Sequence, residues 1–146
     1  MAVQRAAKKT SQKVKLTDTA SSTFAVFAIC SSENGYRLSW LLNSSLGLDM
    51  QSLSHNSPEL PEELSKLDIY AENDPEGAIL IPNKFESNKL LSAAHKQFDY
   101  IFVVRHPLNQ DQYKSLESKI KKTEGIITLV QIPNPDKKVA DILNLF

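Results

Sequence analysis

Cysteine is almost missing from this chain. Cys30 stands alone, so no disulfide can form within one molecule and no cysteine-built zinc module can be assembled. Glycine is scarce, and Gly35, Gly47, Gly77 and Gly125 lie far apart. A phosphate-cradling loop needs closely spaced glycines so that backbone amides can approach the ligand, and that arrangement is excluded. No stretch approaches the ~20 apolar residues that a membrane-spanning helix requires. The first residues are polar and charged, so no secretory leader is read there and a cytoplasmic protein is expected. Internal repeats and low-complexity segments are missing too.

What is present is an ordinary globular composition. The 146 residues are 41% hydrophobic, enough for one core of normal size, and 17 basic side chains balance 17 acidic ones. That balance hides segregation. Residues 1–20 hold Arg5, Lys8, Lys9, Lys13 and Lys15 against Asp18, a net of +4. Residues 49–76 carry a net of −7, with Glu62, Glu63, Asp74 and Glu76 among their acids, and residues 84–146 return to +3. Segments of opposite sign attract one another within a fold or between copies of it.

Residues 1–12 offer little to bury and read as a flexible basic tail, followed by a single α+β domain over 13–146. Lys13 to Thr17 alternates like a short edge strand, and Phe24 to Cys30 is apolar on both faces, as a covered strand is. Cys30 is accordingly expected to be a buried, inert thiol. A helix follows, with Ser31 or Ser32 as its cap and Gly47 at its end. Its core face is read through Tyr36, Trp40 and Leu41, widened by Leu38, Leu42 and Leu46.

Residues 49–65 read as a connection. Leu67–Tyr70 and Ala78–Ile81 flank the turn sequence Asn73-Asp74-Pro75-Glu76-Gly77 and predict a hairpin, with a loose helical turn over 83–97. Phe98–Val104 alternates strictly, setting Tyr100, Phe102 and Val104 on one face and Ile101, Val103 and Arg105 on the other. A helix capped by Asn109 or Asp111 carries Tyr113, Leu116 and Ile120, and a strand over Ile126–Ile132 follows Gly125. Strand, amphipathic connection, strand predicts a crossover with parallel strands. The expected architecture is α+β: a small mixed sheet with two main helices packed on one face and a C-terminal βαβ unit. In the tail, Val139, Ile142, Leu143, Leu145 and Phe146 are costly to leave in water, so they either pack on their own domain or complete an interface.

No catalytic set emerges. His55, His95 and His106 fall in separate loops without a second ligand at metal-binding spacing, so no metal and no cofactor is read. Arg105, His106 and Asn109 follow a strand and precede a helix, the place where α/β proteins commonly put ligand groups. They form a speculative small-ligand site. Glu62, Glu63, Leu143, Leu145 and Phe146 are speculative interaction residues. Arg5, Lys8, Lys9, Lys13 and Lys15 offer a salt-sensitive contact for nucleic-acid phosphates. Phe98, Tyr100 and Phe102 superficially suggest base stacking, but core packing is the stronger reading.

Tyr36-Arg37-Leu38-Ser39-Trp40-Leu41-Leu42-Asn43, Leu46-Gly47-Leu48, Phe98-Asp99-Tyr100-Ile101-Phe102 and the helix-then-strand ending around Ile120 to Ile132 together resemble a family of small Bacteroidota-type proteins. That family is known by an Ile-Pro-Glu, three residues, Val-Asp-Tyr pattern (IPExxxVDY). Here Ser92, Ala93 and Ala94 stand where its first three residues would fall, and Ile81-Pro82-Asn83 lies farther upstream. The resemblance implies a bacterial cytoplasmic setting and brings no enzyme activity or cofactor.

The sequence therefore reads first as a non-enzymatic protein-binding or adaptor module that self-associates. A small-ligand sensor using the Arg105–Asn109 loop is the alternative, and a nucleic-acid accessory role for the basic tail comes third.

Overall fold

β-Branched and aromatic stretches alternate along the chain with amphipathic ones, and the fold sorts them into a sheet and its two coverings. The computed structural model describes residues 25–53, 67–85, 89–90, 92–133, 135 and 137–144. In chain order the elements are β1 (Ala25–Ser31), α1 (Gly35–Leu46), β2 (Gln51–Ser52), β3 (Tyr70–Ala71), β4 (Ala78–Pro82), β5 (Lys84–Phe85) and β6 (Lys89–Leu90). A 3-10 turn (Ala93–His95) precedes β7 (Tyr100–Val104), α2 (Gln110–Lys121), β8 (Ile126–Gln131) and α3 (Lys137–Leu143). Six strands form one sheet in the order β2-β3-β4-β7-β1-β8, and β5 pairs with β6 in a small ribbon of its own.

Every hydrogen-bonded ladder in the large sheet is antiparallel. β7 and β8 flank β1 on either side, so they run parallel to each other without touching. The C-terminal βαβ unit is thus a split one: α2 links two parallel strands with β1 inserted between them. The large sheet itself is therefore antiparallel rather than mixed, because β1 stands between the two parallel strands that α2 joins. The β3–β4 hairpin is also present, with Tyr70 opposite Leu80 and Ala71 opposite Ile79.

Period-two alternation decides what each face buries. Phe27, Ile29, Leu80, Phe102 and Val104 point to the face covered by α1, through Leu38 and Leu42, and by α2, through Ile120. Val26, Ala28, Ile79, Ile81, Ile101 and Val103 point to the other face, where α3 seats Val139, Ile142 and Leu143. Full burial of such side chains stabilises by roughly 1.5–3 kcal/mol each, which explains why the tail folds back onto its own sheet as far as residue 143. Leu143, read above as an interaction residue, is corrected here: it is buried in the protein's own core and offers no surface to a partner. Phe98 and Phe102 are core residues as well, so the base-stacking reading of that strand is set aside.

Two local readings change. Asn34, not Ser31 or Ser32, caps α1, its Oδ1 accepting the Arg37 amide at 2.8 Å. Ser31 belongs to β1, and its hydroxyl oxygen accepts from the Glu33 amide. Residues 83–97 hold β5, β6 and the 3-10 turn rather than one loose helical turn. The edge strand read at Lys13–Thr17, the basic tail with Arg5, Lys8, Lys9, Lys13 and Lys15, the acids Glu62 and Glu63, and Leu145 and Phe146 lie outside the described residues.

Candidate functional site

The helical period separates the residues of α1 into two stripes. At about 100° per residue, Leu38 and Leu42 lie on one side, and Tyr36 and Trp40 are turned some 200° from them. The leucines win the core because sheet residues Phe27, Ile29 and Phe102 offer them an apolar bed. Tyr36 and Trp40, read above as core, instead face outward, 71% and 52% exposed. Between them in sequence, the Arg37 guanidinium lies over the Trp40 ring, 5.1 Å from its centroid. That is within cation–π range.

Beside this stripe, a groove of about 490 Å3 separates α1 from the sheet edge. Tyr36, Trp40 and Asn43 form its helix wall; Gln51, Asp68 and Tyr70 form the strand side. Asn43 holds the two walls together. Its side-chain amide donates to the Met50 carbonyl at 3.1 Å and accepts the Met50 amide at 2.9 Å, imitating a strand partner at the start of β2. Gly35 leaves space for the Tyr70 ring, which lies 3.1 Å from where a Cβ would sit. Burial raises the Tyr70 phenol, and the Asp68 carboxylate and Tyr36 add to the rise, so Tyr70 presents a neutral hydroxyl there.

The charge of this edge is one-sided. Within 49–53 and 67–79 stand Asp49, Asp68, Glu72, Asp74 and Glu76, without a lysine or arginine. Glu72 accepts the Asp49 and Ala78 amides through its two oxygens, and Asp74 accepts the Glu76 amide. Those carboxylates are fixed by the turn they organise.

Of the speculative ligand triplet, Arg105 and His106 meet the same turn while Asn109 stands at the start of α2, and each member has a structural partner. Arg105 is buried, its Nε donating to the Gly77 carbonyl at 2.9 Å and its Nη2 to the Asp74 carbonyl at 2.6 Å. Burial lowers its pKa, while Asp74 and Glu72 push the other way. His106 Nδ1 lies 3.1 Å from the Glu76 carbonyl. Asn109 caps α2 and exchanges a reciprocal pair of bonds with Gln112. Between the end of α1 and α2 there is a largely apolar groove of about 430 Å3 lined by Leu46, Leu108 and Leu116, with His106, Asp111 and Lys119 also in its walls.

Elsewhere the polar side chains organise the backbone. Asp99 accepts the Ser31 amide across the sheet and lies 3.8 Å from Lys84. Cys30 is half-buried beside it. Burial first, then a hydrogen bond to Asp99, raises its thiol, so a reactive thiolate is disfavoured, as an inert cysteine requires. Asn83, wholly buried, accepts the Ser92 amide at 2.7 Å and donates to the His95 and Phe98 carbonyls at 3.0 Å. Among the described residues, no group of three or more His, Cys, Asp or Glu side chains is arranged to hold a metal ion, and no helix is long and apolar enough to cross a membrane.

The aromatic stripe was missed in the sequence, although a signal existed. Leu38, Leu41, Leu42 and Leu46 complete an i, i+3, i+4, i+8 core pattern, whereas the series from Tyr36 and Trp40 runs on into Asn43 and Gly47. No protein-family model matches the chain, and neither a curated protein nor a solved structure is significantly similar to it.

Proposed function

We propose that this protein is a non-enzymatic protein-binding module that meets its partner, in the simplest case a second copy of itself, through the outer face of α1. The observation that carries this reading is the Tyr36–Arg37–Trp40 surface. Tryptophan, tyrosine and arginine are the residue types that dominate binding energy at protein interfaces, and here all three project from one exposed helix face. The resemblance read in the sequence carries no activity, so the proposal stands on this surface.

The test is light scattering behind size exclusion together with affinity capture, comparing the full chain with a Tyr36→Ala/Trp40→Ala variant. Because both side chains are exposed, the variant keeps its melting temperature and circular dichroism, and loses the dimer or the captured protein. Assembly unchanged by the double substitution counts against the proposal. The apolar groove at Leu46, Leu108 and Leu116 favours a second reading, a sensor for a small, largely apolar ligand. A metabolite that raises the melting temperature of the full chain, and stops doing so in a Leu116→Gln variant, would establish it.

A further inference from the structure

We infer, building on the protein-binding reading above, that the groove beside Trp40 receives a lysine or arginine side chain from a basic segment of a partner polypeptide. The groove combines three aromatic residues, Tyr36, Trp40 and Tyr70, with the carboxylate of Asp68. Aromatic faces attract cations through their quadrupole, and an adjacent carboxylate adds a charge of the right sign. The protein itself displays this preference, since Arg37 already lies over Trp40 without lining the groove. The Asp68 side chain is exposed.

The surroundings extend the same complementarity. Beyond Gln51 a second hollow is bordered by Asp49, Glu72 and Asp74. Arg105, the cation among its described lining residues, is buried and committed to backbone carbonyls. A basic segment laid along this edge therefore meets carboxylates along its path and an aromatic seat for one of its side chains. A neutral or acidic segment gains nothing from the carboxylates, and an acidic one is repelled.

Trp40 is the sole tryptophan of the chain, so its emission reports on the groove directly. The full chain is titrated at low salt with a capped peptide of alternating lysine and alanine, and separately with its glutamate counterpart. The expected result is a saturable change in Trp40 emission with the lysine peptide alone, weakened by added salt. Asp68→Asn should lower the apparent affinity by about two- to fivefold, in the range set by an exposed ion pair. An equal response to the glutamate peptide, or an affinity unaffected by Asp68→Asn, overturns the inference.

A second variant replaces Arg5, Lys8, Lys9, Lys13 and Lys15 by glutamine in the full chain. Unaltered emission in the free variant supports a separate partner. A change opposite in sign to that caused by the peptide, with a larger peptide response in the variant, makes the chain's own N-terminal segment the occupant and overturns the partner assignment. If the peptide response fails while capture still depends on Tyr36 and Trp40, the basic ligand is wrong and the binding-module reading survives.

Discussion

At the residue scale, buried side-chain amides and phenols decide where the protein is vulnerable. Asn83 ties β4 to the segment leading into β7, and no apolar residue can replace its simultaneous donation and acceptance. Asn83→Ala should lower unfolding free energy by about 2–4 kcal/mol, from several lost bonds and the backbone groups left unpaired. Asn83→Asp should be worse near pH 8 than near pH 5, because a carboxylate would then face the carbonyls of His95 and Phe98. Urea denaturation at both pH values measures the difference.

The phenols also lose stability as pH rises, but in a more alkaline range. Tyr100 is pushed up to about 12 by burial and then by Asp99, Tyr70, Asp68 and Glu33, and Tyr113 to about 12 by burial and then Glu117. In the unfolded chain both ionise near 10, so the unfolded state releases these protons first. Their contribution is complete below about pH 10 and is lost as pH climbs towards about 12. Tyr100→Phe should flatten that alkaline decline and cost about 1 kcal/mol at neutral pH, where its bond to the Glu33 carbonyl is lost. Tyr113→Phe should flatten the decline without that cost, since its buried hydroxyl has no partner among the described residues. A steeper decline in either variant would contradict this account.

At the scale of single elements, helix ends and turns differ in how much they tolerate. Gly47 ends α1 at φ 70° with open space where a Cβ would go. Gly125 precedes β8 at φ 92°, and a Cβ there would come within 2.9 Å of the Glu33 side chain and 3.2 Å of Leu41. Gly47→Ala should therefore cost only the left-handed backbone strain, about 1 kcal/mol. Gly125→Ala adds a clash against α1 and should cost about 2–3 kcal/mol. Parallel thermal melts rank the two, and equal losses would refute the contribution of the contact.

Elements of this size were largely legible in the residues. The alternation Tyr100-Ile101-Phe102-Val103-Val104 assigns both faces of β7 correctly, and Asn109 announces α2. Two-residue β2 was not legible, because its pairing depends on β3 and on the Asn43 clamp rather than on any local pattern. The candidate site was hidden for a related reason. Two apolar stripes share α1, and only the sheet beneath decides which one is buried.

At the scale of the whole molecule, sheet order escaped the sequence because hydrogen-bonded ladders leave no mark on composition. The parallel relation of β7 and β8 could be inferred from the helix joining them; the insertion of β1 between them could not. The same holds for surface charge. The acidic stretch was visible as a count, but the gathering of its described members Asp49, Asp68, Glu72 and Asp74 along one sheet edge, beside an aromatic groove, required the fold.

The placement of β1 has a temporal consequence. Its two neighbours are β7 and β8, so the described residues that first enter the sheet in chain order must wait for partners that come about 70 to 100 residues later. Closing such long loops precedes any reward from the contacts they create, which slows the search for the native pairing. During synthesis the apolar strand Ala25–Ser31 is made before its ladder partners exist. Until Gln131 has left the ribosome, this segment depends on dilution or on a chaperone to remain unaggregated.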